Sequence, residues 1–345
     1  MDVADYEYDL PPELIAQSPL AHRDGSRLMV LEKRTGTIHH AHFADLGQWL
    51  SPGDLLVANN SRVIPAKLRG VRLPSGGKVE ILLLRKSGEV WSALAKPAKR
   101  LGRGTRLAFP SHSPSGVPAS AIVEDSIGQG EVHIRFEGGA DRHLDEYGET
   151  PLPPYITVPL ASAERYQTTF GRVPGSVAAP TAGLHFTPEL IECLRTRGVA
   201  WAEVTLHVGL DTFRPMTSAD ARDHRIHSEW CEVSDDTALA IAACRRRSGR
   251  VIAVGTTSAR TLETLGGHWH DARPAGIRGM TDTFIIPGHG WTLVDALLTN
   301  FHLPRSTLLL LVSALAGRES ILHAYAEAIR HGYRFYSFGD AMLIV

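Results

Sequence analysis

The sequence predicts an α/β fold in which a large mixed α/β domain is interrupted by a small all-β domain. The chain has 345 residues, which exceeds one ordinary core and suggests two domains. Strand-like and helix-like segments alternate at both ends of the chain, whereas the middle contains only short β-rich runs separated by Gly, Pro and Ser. The predicted domains are therefore 1–66 with 151–345, and an inserted barrel or sandwich over 67–150.

Composition indicates a globular protein without a membrane anchor. Hydrophobic residues make up 43% of the chain and charged residues 21%. The longest apolar run, Leu308–Gly317, has about half of the ~20 residues that a bilayer span needs, so a buried helix is expected there. The acidic N-terminal segment lacks the basic and apolar regions of a signal peptide. Three cysteines without close spacing favour neither a disulfide framework nor a Cys-based zinc site. These features predict a cytoplasmic protein.

The large domain opens with two strand-like segments, Arg27–Glu32 and Asp54–Ala58, and with a short helix expected over Phe43–Leu50. The second strand ends in the polar cluster 59–62, which contains Arg62. Open α/β sheets bind ligands at the carboxyl ends of their strands. This cluster therefore predicts a ligand nearby.

The inserted domain has a strongly uneven charge that the net charge of −1 conceals. Residues 62–106 contain twelve Lys or Arg and two acids, whereas residues 107–150 contain eight acids and two arginines. A basic segment of this kind suits a polyanion. The candidates for contact are Lys96, Lys99, Arg100 and Arg103. The alternative is a solvated face of a small β domain.

Residues 174–215 form the most distinctive stretch of the chain. Pro180 and Gly183 bracket Thr181 and Ala182, and His185 follows on the same loop. Proline fixes and glycine permits unusual backbone angles, so the loop is expected to be shaped rather than regular. This predicts that the histidine ring is aimed at a site.

A helix and a strand follow this loop. Thr187 is the expected N-cap of the helix. Around residues 203–208, apolar and polar residues alternate, so the polar set Glu203, Thr205 and His207 is expected to face away from the core. Two histidines at successive element ends indicate a site built around sheet ends. For each of them, the alternative is a structural role.

Two later segments carry further candidate groups. Residues 223–229 collect His224, His227 and Glu229, but their spacing suits one helix turn poorly, so a hydrogen-bonding cluster is favoured over a metal site. A buried strand, the turn Gly255–Ser258 and a helix over 259–265 then resemble a cradle for an anion or nucleoside, with free amides at a helix N-terminus. This segment lacks the lysine and the spacing of a phosphate-binding loop.

The remaining elements are predicted from caps and periodicity. Ser234 is the expected N-cap of a helix that ends near Arg247, and a second helix is expected over Glu319–His331. The aromatic segment 333–344 is expected to form a final strand with a polar end at Asp340.

Taken together, these segments resemble one family, the S-adenosylmethionine:tRNA ribosyltransferase-isomerases of queuosine biosynthesis. The chain departs from the family pattern, as we know it, at Asn60, Asp211 and Ile226. The resemblance runs from end to end in family order, in the segments YDLP (8–11), LIAQ (14–17), NNSRVIP (59–65), PLPPYI (151–156), AAPTAGLHFT (178–187), TLHVG (205–209), VGTTS (254–258), LTNFHLP (298–304) and YRF…GDAML (333–343).

The resemblance implies a large α/β domain interrupted by a small β-barrel. It also implies the transfer and isomerisation of the ribosyl moiety of S-adenosylmethionine onto 7-aminomethyl-7-deazaguanine at the wobble position of tRNA, with release of adenine and methionine. S-Adenosylmethionine would be a consumed substrate, and no cofactor or metal is expected. The implied partners are the tRNA anticodon region and S-adenosylmethionine, and a monomer is favoured.

The site residues are assigned from the chemistry that such a reaction needs. A base must remove a proton from the ribose carbon beside the sulfonium, and an acid must protonate adenine; histidine suits both tasks. The catalytic candidates are His185 and His207, followed by His227, Glu229 and His302. Arg62 and Arg260 are candidates to hold the methionine carboxylate. The other substrate-binding candidates are Thr181, Gly183, Gly255, Thr256, Thr257, Ser258 and Asp340.

Two other functions remain open from the residues. A conventional methyltransferase would use the same S-adenosylmethionine, but this chain lacks the usual glycine-rich strand–loop–helix near its start. A non-catalytic tRNA-binding protein would use the basic insert alone, and it leaves the polar turns outside the insert unexplained.

Overall fold

The computed structural model describes residues 1–114, 116–209, 216, 218–226 and 228–345. Asp211 and His227 therefore lie outside the described residues. The chain divides into two compact units. The large unit comprises Met1–Arg62, Pro154–Val173 and Ala179–Val345, and the small unit comprises Val63–Pro153 with Pro174–Ala178.

The strands, in chain order, are β1 (Arg27–Leu31), β2 (Ile38–His42), β3 (Leu55–Asn59), β4 (Ser61–Val63), β5 (Lys67–Leu73), β6 (Gly77–Ser87), β7 (Val90–Lys96), β8 (Arg106–Phe109), β9 (Ala119–Gly128), β10 (Glu131–Phe136), β11 (Gly148–Glu149), β12 (Val173–Ser176), β13 (Ala200–Leu206), β14 (Glu229–Val233), β15 (Val251–Val254), β16 (Ile277–Thr281), β17 (Ala296–Asn300) and β18 (Ala341–Ile344). The α-helices are α1 (Pro188–Thr196), α2 (Asp235–Arg246), α3 (Thr256–Gly266), α4 (Thr307–Ala316) and α5 (Arg318–Arg330). Short 3₁₀ helices span Val3–Tyr6, Pro12–Leu14, Arg23–Gly25, Phe43–Gln48, Ala140–Glu146, Ala163–Tyr166, Thr181–His185 and Ala221–Asp223.

The large unit is built on a nine-stranded mixed sheet with the order β16-β14-β13-β3-β15-β17-β18-β1-β2. Its centre is a parallel block of β13, β3, β15 and β17. β14 and β18 flank this block and run antiparallel to its outer strands, β13 and β17. β3, β15 and β17 are buried along their whole length, as expected for parallel strands covered on both faces.

Apolar clusters cover both faces of this sheet. Leu55 and Val57 of β3 pack with side chains of α2, α3, α4 and α5. Leu56 and Ala58, which point the other way, pack with Phe43 and with α1. The sheet is therefore a middle layer, and only its edges and strand ends are open to a ligand.

The small unit is a β-barrel. β5, β6, β7, β10, β9 and β8 form a closed ring because β8 also pairs with β5, and β11 is added beside β5. One end of the barrel carries the β5–β6 hairpin, the connection between β7 and β8, and the β9–β10 hairpin. The chain enters β5 at the opposite end. The predicted fold class, a mixed α/β domain interrupted by a small β-barrel, is confirmed.

Four local predictions were wrong in detail. The helix expected over Phe43–Leu50 is a 3₁₀ helix that ends at Gln48. α3 begins at Thr256 and not at residue 259, because Gly255 takes a positive φ of 89° and serves as the N-cap. The final strand covers only Ala341–Ile344, since the aromatic residues before it form a loop. Thr205 was expected to face away from the core but is buried, and its hydroxyl donates to Asn60 Oδ1 at 2.7 Å.

In the described ranges, no single helix is long and apolar enough to cross a membrane. α4 and α5 meet the length and composition criteria only as a pair, and the pair is bent by 113°.

Candidate active site

The predicted site lies at one edge of the large sheet, where the four parallel strands end. β3 ends at Asn59, β13 at Leu206, β15 at Val254 and β17 at Asn300. β14 begins at the same edge with Glu229, because it runs antiparallel to β13. Carboxyl ends of parallel strands are the usual ligand position in open α/β sheets.

A first cleft opens at this edge, with an empty volume of about 610 Å³. It is built from the loop before α1, the start of α3, the end of β17 and the loop before β18. Its lining includes Tyr155, Pro180, Thr181, Gly255, Thr256, Thr257, Thr299, Asn300, His302, Tyr336 and Ser337. A cleft lined by apolar walls and a few hydroxyl and amide groups suits a small organic ligand.

The N-terminus of α3 lies between this cleft and a second one, since Thr256 and Thr257 line both. The N-cap residue, Gly255, has no side chain that could accept hydrogen bonds from the first amides of α3. Among the described residues, buried Thr257 Oγ1 has no hydrogen-bond partner. A Cβ on Gly255 would lie 3.5 Å from Ala182 Cβ, in a conformation that L-residues rarely adopt. These features provide a polar cradle at a helix N-terminus.

The second cleft has an empty volume of about 680 Å³ and contains a buried ion pair. Arg260 donates from Nη1 to Glu229 Oε2 and from Nε to Thr283 O at 2.9 Å. Glu229 Oε1 also accepts from the amide of Gly209 at 2.7 Å. Burial lowers the pKa of Arg260, and the carboxylate of Glu229 opposes this shift. His224 and Phe284 complete the walls.

Two tyrosines form an aromatic wall of the first cleft. The rings of Tyr155 and Tyr336 lie 4.8 Å apart, and Tyr155 Oη is hydrogen-bonded to Ser337 Oγ at 2.6 Å. Tyr336 has a φ of +69°, which is rare and unfavourable for a bulky residue. Burial raises the pKa of both phenols, so they remain neutral. Strain of this kind at a cleft is typical of functional positions.

His302 is the candidate histidine that lines the first cleft. Its Nε2 lies 2.7 Å from Thr299 Oγ1, and its backbone amide donates to Tyr325 Oη at 2.9 Å. Burial lowers the pKa of His302 to about 3. The ring is therefore neutral at pH 7.

His185 lies in a third pocket, of about 310 Å³ empty volume, together with Arg23 and Ser26. Its Nδ1 is 2.7 Å from Ser26 Oγ and its Nε2 is 3.2 Å from Asn300 Nδ2, while the ring stacks on Phe43. Burial lowers the pKa of His185 to about 4. Because Asn300 Oδ1 accepts from Thr181 at 2.9 Å, His185 is linked to the first cleft through Asn300.

His207 follows β13, and its ring stacks on Trp230 at 5.1 Å between centroids. Its Nδ1 is buried without a hydrogen-bond partner in the described part of the chain. Burial lowers its pKa. It lines none of the three pockets described above.

Several predicted substrate-binding residues are engaged elsewhere. Arg62 pairs with Glu164 at 2.6 Å, and Ser258 Oγ donates to Val254 O at 2.8 Å. The buried Asp340 carboxylate accepts from the amides of Arg27 and Arg334. A Cβ on Gly183 would collide with Phe170 at 2.7 Å, so this glycine is required for packing. Their predicted roles stay predictions.

The polar cluster after β3 joins two strands. Asn59 exchanges hydrogen bonds with the backbone of Leu206 at 3.0 Å. Asn60 donates to Glu203 Oε2 at 3.0 Å, which an aspartate at this position would not do at neutral pH. The departure at Asn60 therefore acts on the β3–β13 junction, whereas Ile226 lines the second cleft.

In the small unit, the four candidate cations lie at or after the end of β7. Lys96, Lys99, Arg100 and Arg103 are exposed and form no ion pair within the described residues. By contrast, Lys67, Arg69, Lys86 and Arg106 each face a carboxylate. Arg72 Nη1 lies 3.5 Å from Arg100 O, so the β5–β6 hairpin adjoins this segment. We call the barrel end formed by residues 72–78 and 96–103 the basic end.

Sequence reasoning missed several groups at the site. Tyr155 lies in the segment PLPPYI and Asn300 in the segment LTNFHLP, so the sequence offered a signal for both. Tyr336 and Phe284 offered none, because the positive φ of the first and the position of the second at the cleft depend on tertiary structure.

Known proteins resemble this chain over its whole length. Residues 3–344 match the family described as "Queuosine biosynthesis protein". The protein "S-adenosylmethionine:tRNA ribosyltransferase-isomerase" of Heliobacterium modesticaldum is 51% identical, and that of Acetivibrio thermocellus 50%, each with 100% of both chains covered. The crystal structure of S-adenosylmethionine tRNA ribosyltransferase from Thermotoga maritima is 39% identical, with a TM-score of 0.57, and the match covers 99% of this chain and 100% of that one.

Proposed function

This chain belongs to the queuosine biosynthesis protein family, and we infer that it is an S-adenosylmethionine:tRNA ribosyltransferase-isomerase. It transfers and isomerises the ribosyl moiety of S-adenosylmethionine onto 7-aminomethyl-7-deazaguanine at the wobble position of tRNA. The products are epoxyqueuosine-tRNA, adenine and methionine. The observation that carries this conclusion is the identity of about half of all residues with two relatives of that name over full length.

We propose that S-adenosylmethionine spans the two clefts, with the N-terminus of α3 between its halves. The aromatic wall of Tyr155 and Tyr336 suits a purine, because rings of this kind stack on π-faces. The ion pair of Arg260 and Glu229 suits the zwitterionic methionine part, because each charge meets its opposite in a buried setting.

We propose His302 as the first candidate for proton transfer, since it lines the first cleft. Its ring is neutral at pH 7, which is the protonation state that a proton acceptor must have. The proton beside the sulfonium is the acidic one, and its removal needs such an acceptor. His185 follows as a second candidate through its link to Asn300. His207, His227 and Glu229 remain further candidates.

We propose that the basic end of the barrel contacts tRNA phosphates in the anticodon region. Unpaired, exposed cations are free to exchange their counterions for phosphates, whereas cations already held by carboxylates lose a partner when they do so. The exposed Leu73, beside Arg72 in the β5–β6 hairpin, adds an apolar surface to these charges.

We further propose that the enzyme works as a cytoplasmic monomer. S-Adenosylmethionine is consumed as a substrate, and the reaction is proposed to need no additional cofactor. Size-exclusion chromatography with light scattering, with and without tRNA, checks the monomer; a concentration-independent dimer would contradict it.

The test of function is incubation of the protein with S-adenosylmethionine and tRNA that carries the aminomethyl precursor. We expect stoichiometric release of adenine and methionine, measured by chromatography. The same tRNA without the precursor is the control and should yield neither product. Formation of S-adenosylhomocysteine would instead indicate a methyltransferase, and tRNA binding without turnover would indicate a binding protein.

The placement of the substrate is tested separately with 5′-methylthioadenosine, which keeps the adenosine but lacks the amino acid. Tyr336→Leu should weaken binding of this probe and of S-adenosylmethionine alike. Glu229→Gln should weaken S-adenosylmethionine and leave the probe unchanged. Equal effects of Glu229→Gln on both ligands would show that the methionine part does not bind in the second cleft.

A further inference from the structure

A cluster of potential metal ligands lies outside the three pockets. His40 stands on β2, the edge strand of the large sheet, while Glu327 and His331 lie one turn apart at the end of α5. One ligand atom from each residue lies within 4.8 Å of the other two. The imidazole rings are 4.4 Å apart, and His331 Nε2 is 3.6 Å from Glu327 Oε2. Small rotations of exposed side chains would bring such atoms to the spacing of ligands on one ion.

The lone pairs of Glu327 and His331 already converge on a single cation. Arg330 Nη2 lies 2.6 Å from Glu327 Oε2 and 2.8 Å from His331 Nε2. One nitrogen thus contacts both acceptors, which is the arrangement that a metal ion needs. The Arg330 side chain is 65% exposed, so it can swing into solvent and vacate this position.

The third ligand, His40, is oriented by a hydrogen bond to Tyr333. His40 Nδ1 is hydrogen-bonded to Tyr333 Oη at 2.8 Å, which leaves the other ring nitrogen available. Histidines that bind metals usually make such a bond with their second nitrogen.

We propose that His40, Glu327 and His331 form a binding site for a divalent transition-metal ion of the Zn²⁺ class. Two imidazoles and one carboxylate are a ligand set that such ions favour, with a water in the fourth position. The ion replaces the Arg330 guanidinium and joins the edge strand β2 to the C-terminal end of α5. It lies away from the clefts described above, so its role is to fasten this part of the fold.

The site is tested by calorimetric titration of Zn²⁺ into the metal-free, tag-free full chain. The parent protein and all its variants carry Cys193→Ser, which removes the exposed cysteine as a competing ligand. We expect about one Zn²⁺ per chain in the parent protein. His40→Ala and His331→Ala should each weaken binding at least tenfold. Arg330→Ala should tighten it, because the competing cation is gone.

The matched control is His39→Ala. His39 lies on the same strand and faces a carboxylate, Glu32, at 3.0 Å, but no third ligand joins this pair among the described residues. Zn²⁺ affinity should not change in this variant. The melting temperature serves as a second readout, and Zn²⁺ should raise it only when the three ligands are intact. Equal Zn²⁺ affinity in the parent and His40→Ala, or weaker binding after Arg330→Ala, would overturn the proposal.

Discussion

The sheet-edge clefts and the basic end of the barrel arrange their charges in opposite ways. In the clefts, ionisable groups are buried and already engaged, as Arg260 is with Glu229 and His302 with Thr299. At the basic end, Lys96 and its neighbours are exposed and have no carboxylate partner in the described part of the chain. A small zwitterionic nucleoside requires directional contacts in a dry site, whereas a polyanion requires only a high density of positive charge.

This difference has a direct consequence for salt dependence. Interactions in a buried site are screened little, while exposed cations act through counterion release. Affinity for S-adenosylmethionine should therefore change little between low and high salt, and affinity for tRNA should fall steeply. The predictions below test this contrast, from the largest expected effect to the smallest.

The largest effect is expected from His302→Gln. General acid–base catalysis contributes roughly 10²–10⁴ in rate, so turnover should fall by that order while S-adenosylmethionine still binds. The measurement is single-turnover release of adenine. His39→Gln is the control, because His39 lies on β2 and lines none of the three pockets. Normal turnover in His302→Gln with a large loss in His185→Gln would move the proton transfer to the third pocket.

Acid should destabilise the large unit through its buried histidines. The folded pKa values of about 4 for His185 and about 3 for His302 lie below the ordinary value of about 6.5. Between these values the unfolded chain binds protons that the folded chain does not, so stability falls as the pH drops from about 6.5 towards 4. The slope is at most roughly 1.4 kcal/mol per pH unit for each histidine.

Urea unfolding at several pH values measures this slope. The double variant His185→Gln/His302→Gln should be less stable at pH 7 but should show a flatter dependence on pH. An identical slope in the variant and the parent would mean that other groups cause the acid loss.

Gly255→Val should weaken S-adenosylmethionine binding by roughly 10- to 100-fold. Valine at the positive φ of residue 255 costs about 1–3 kcal/mol, so the start of α3 should relax away from the geometry that binds the ligand. Calorimetry measures the affinity. Gly317→Val is a matched control, because Gly317 is also an N-cap glycine with a positive φ, 85° against 89°, and it lines neither cleft. Similar losses of affinity in both variants would point to general unfolding.

The triple variant Lys96→Ala/Lys99→Ala/Arg100→Ala should reduce the logarithmic salt slope of tRNA binding by roughly 2–3, at about 0.7–0.9 per lost phosphate contact. S-Adenosylmethionine binding should not change. The control with the same loss of charge is Arg69→Ala/Arg85→Ala/Arg135→Ala, in which the cations lie away from the basic end. Equal slopes in both triple variants would make the effect one of net charge alone.

The fold was largely predictable because local signals agree with tertiary structure. Thr187 and Ser234 cap helices as expected, accepting hydrogen bonds from the amides of Leu190 and Thr237. Near residues 67 and 150, the alternation of strand-like and helix-like segments gives way to short β-rich runs, and these limits correspond to the barrel strands from β5 to β11. The start of α3 was less predictable, since Gly255 caps this helix through its positive φ rather than through a side chain.

The site was predicted in its location but only partly in its residues. Strand order places the ends of β3, β13, β15 and β17 side by side, which a rule about parallel sheets anticipates. Which polar groups remain open to a ligand depends on hydrogen bonds made across long sequence separations. Asp340 is held by Arg27 and Arg334, whereas Asn300, seen only as part of a motif, connects His185 with Thr181.

The left-handed backbone of Tyr336 makes the aromatic wall dependent on the core beneath it. A φ of +69° costs about 1–3 kcal/mol, yet the ring is buried in the core of the large unit, where removal of an aromatic side chain costs roughly 3–5 kcal/mol. Tyr336→Gly should therefore lower the melting temperature even though it relieves the strain. Burial of the ring, and not the local backbone preference, holds this part of the wall in place.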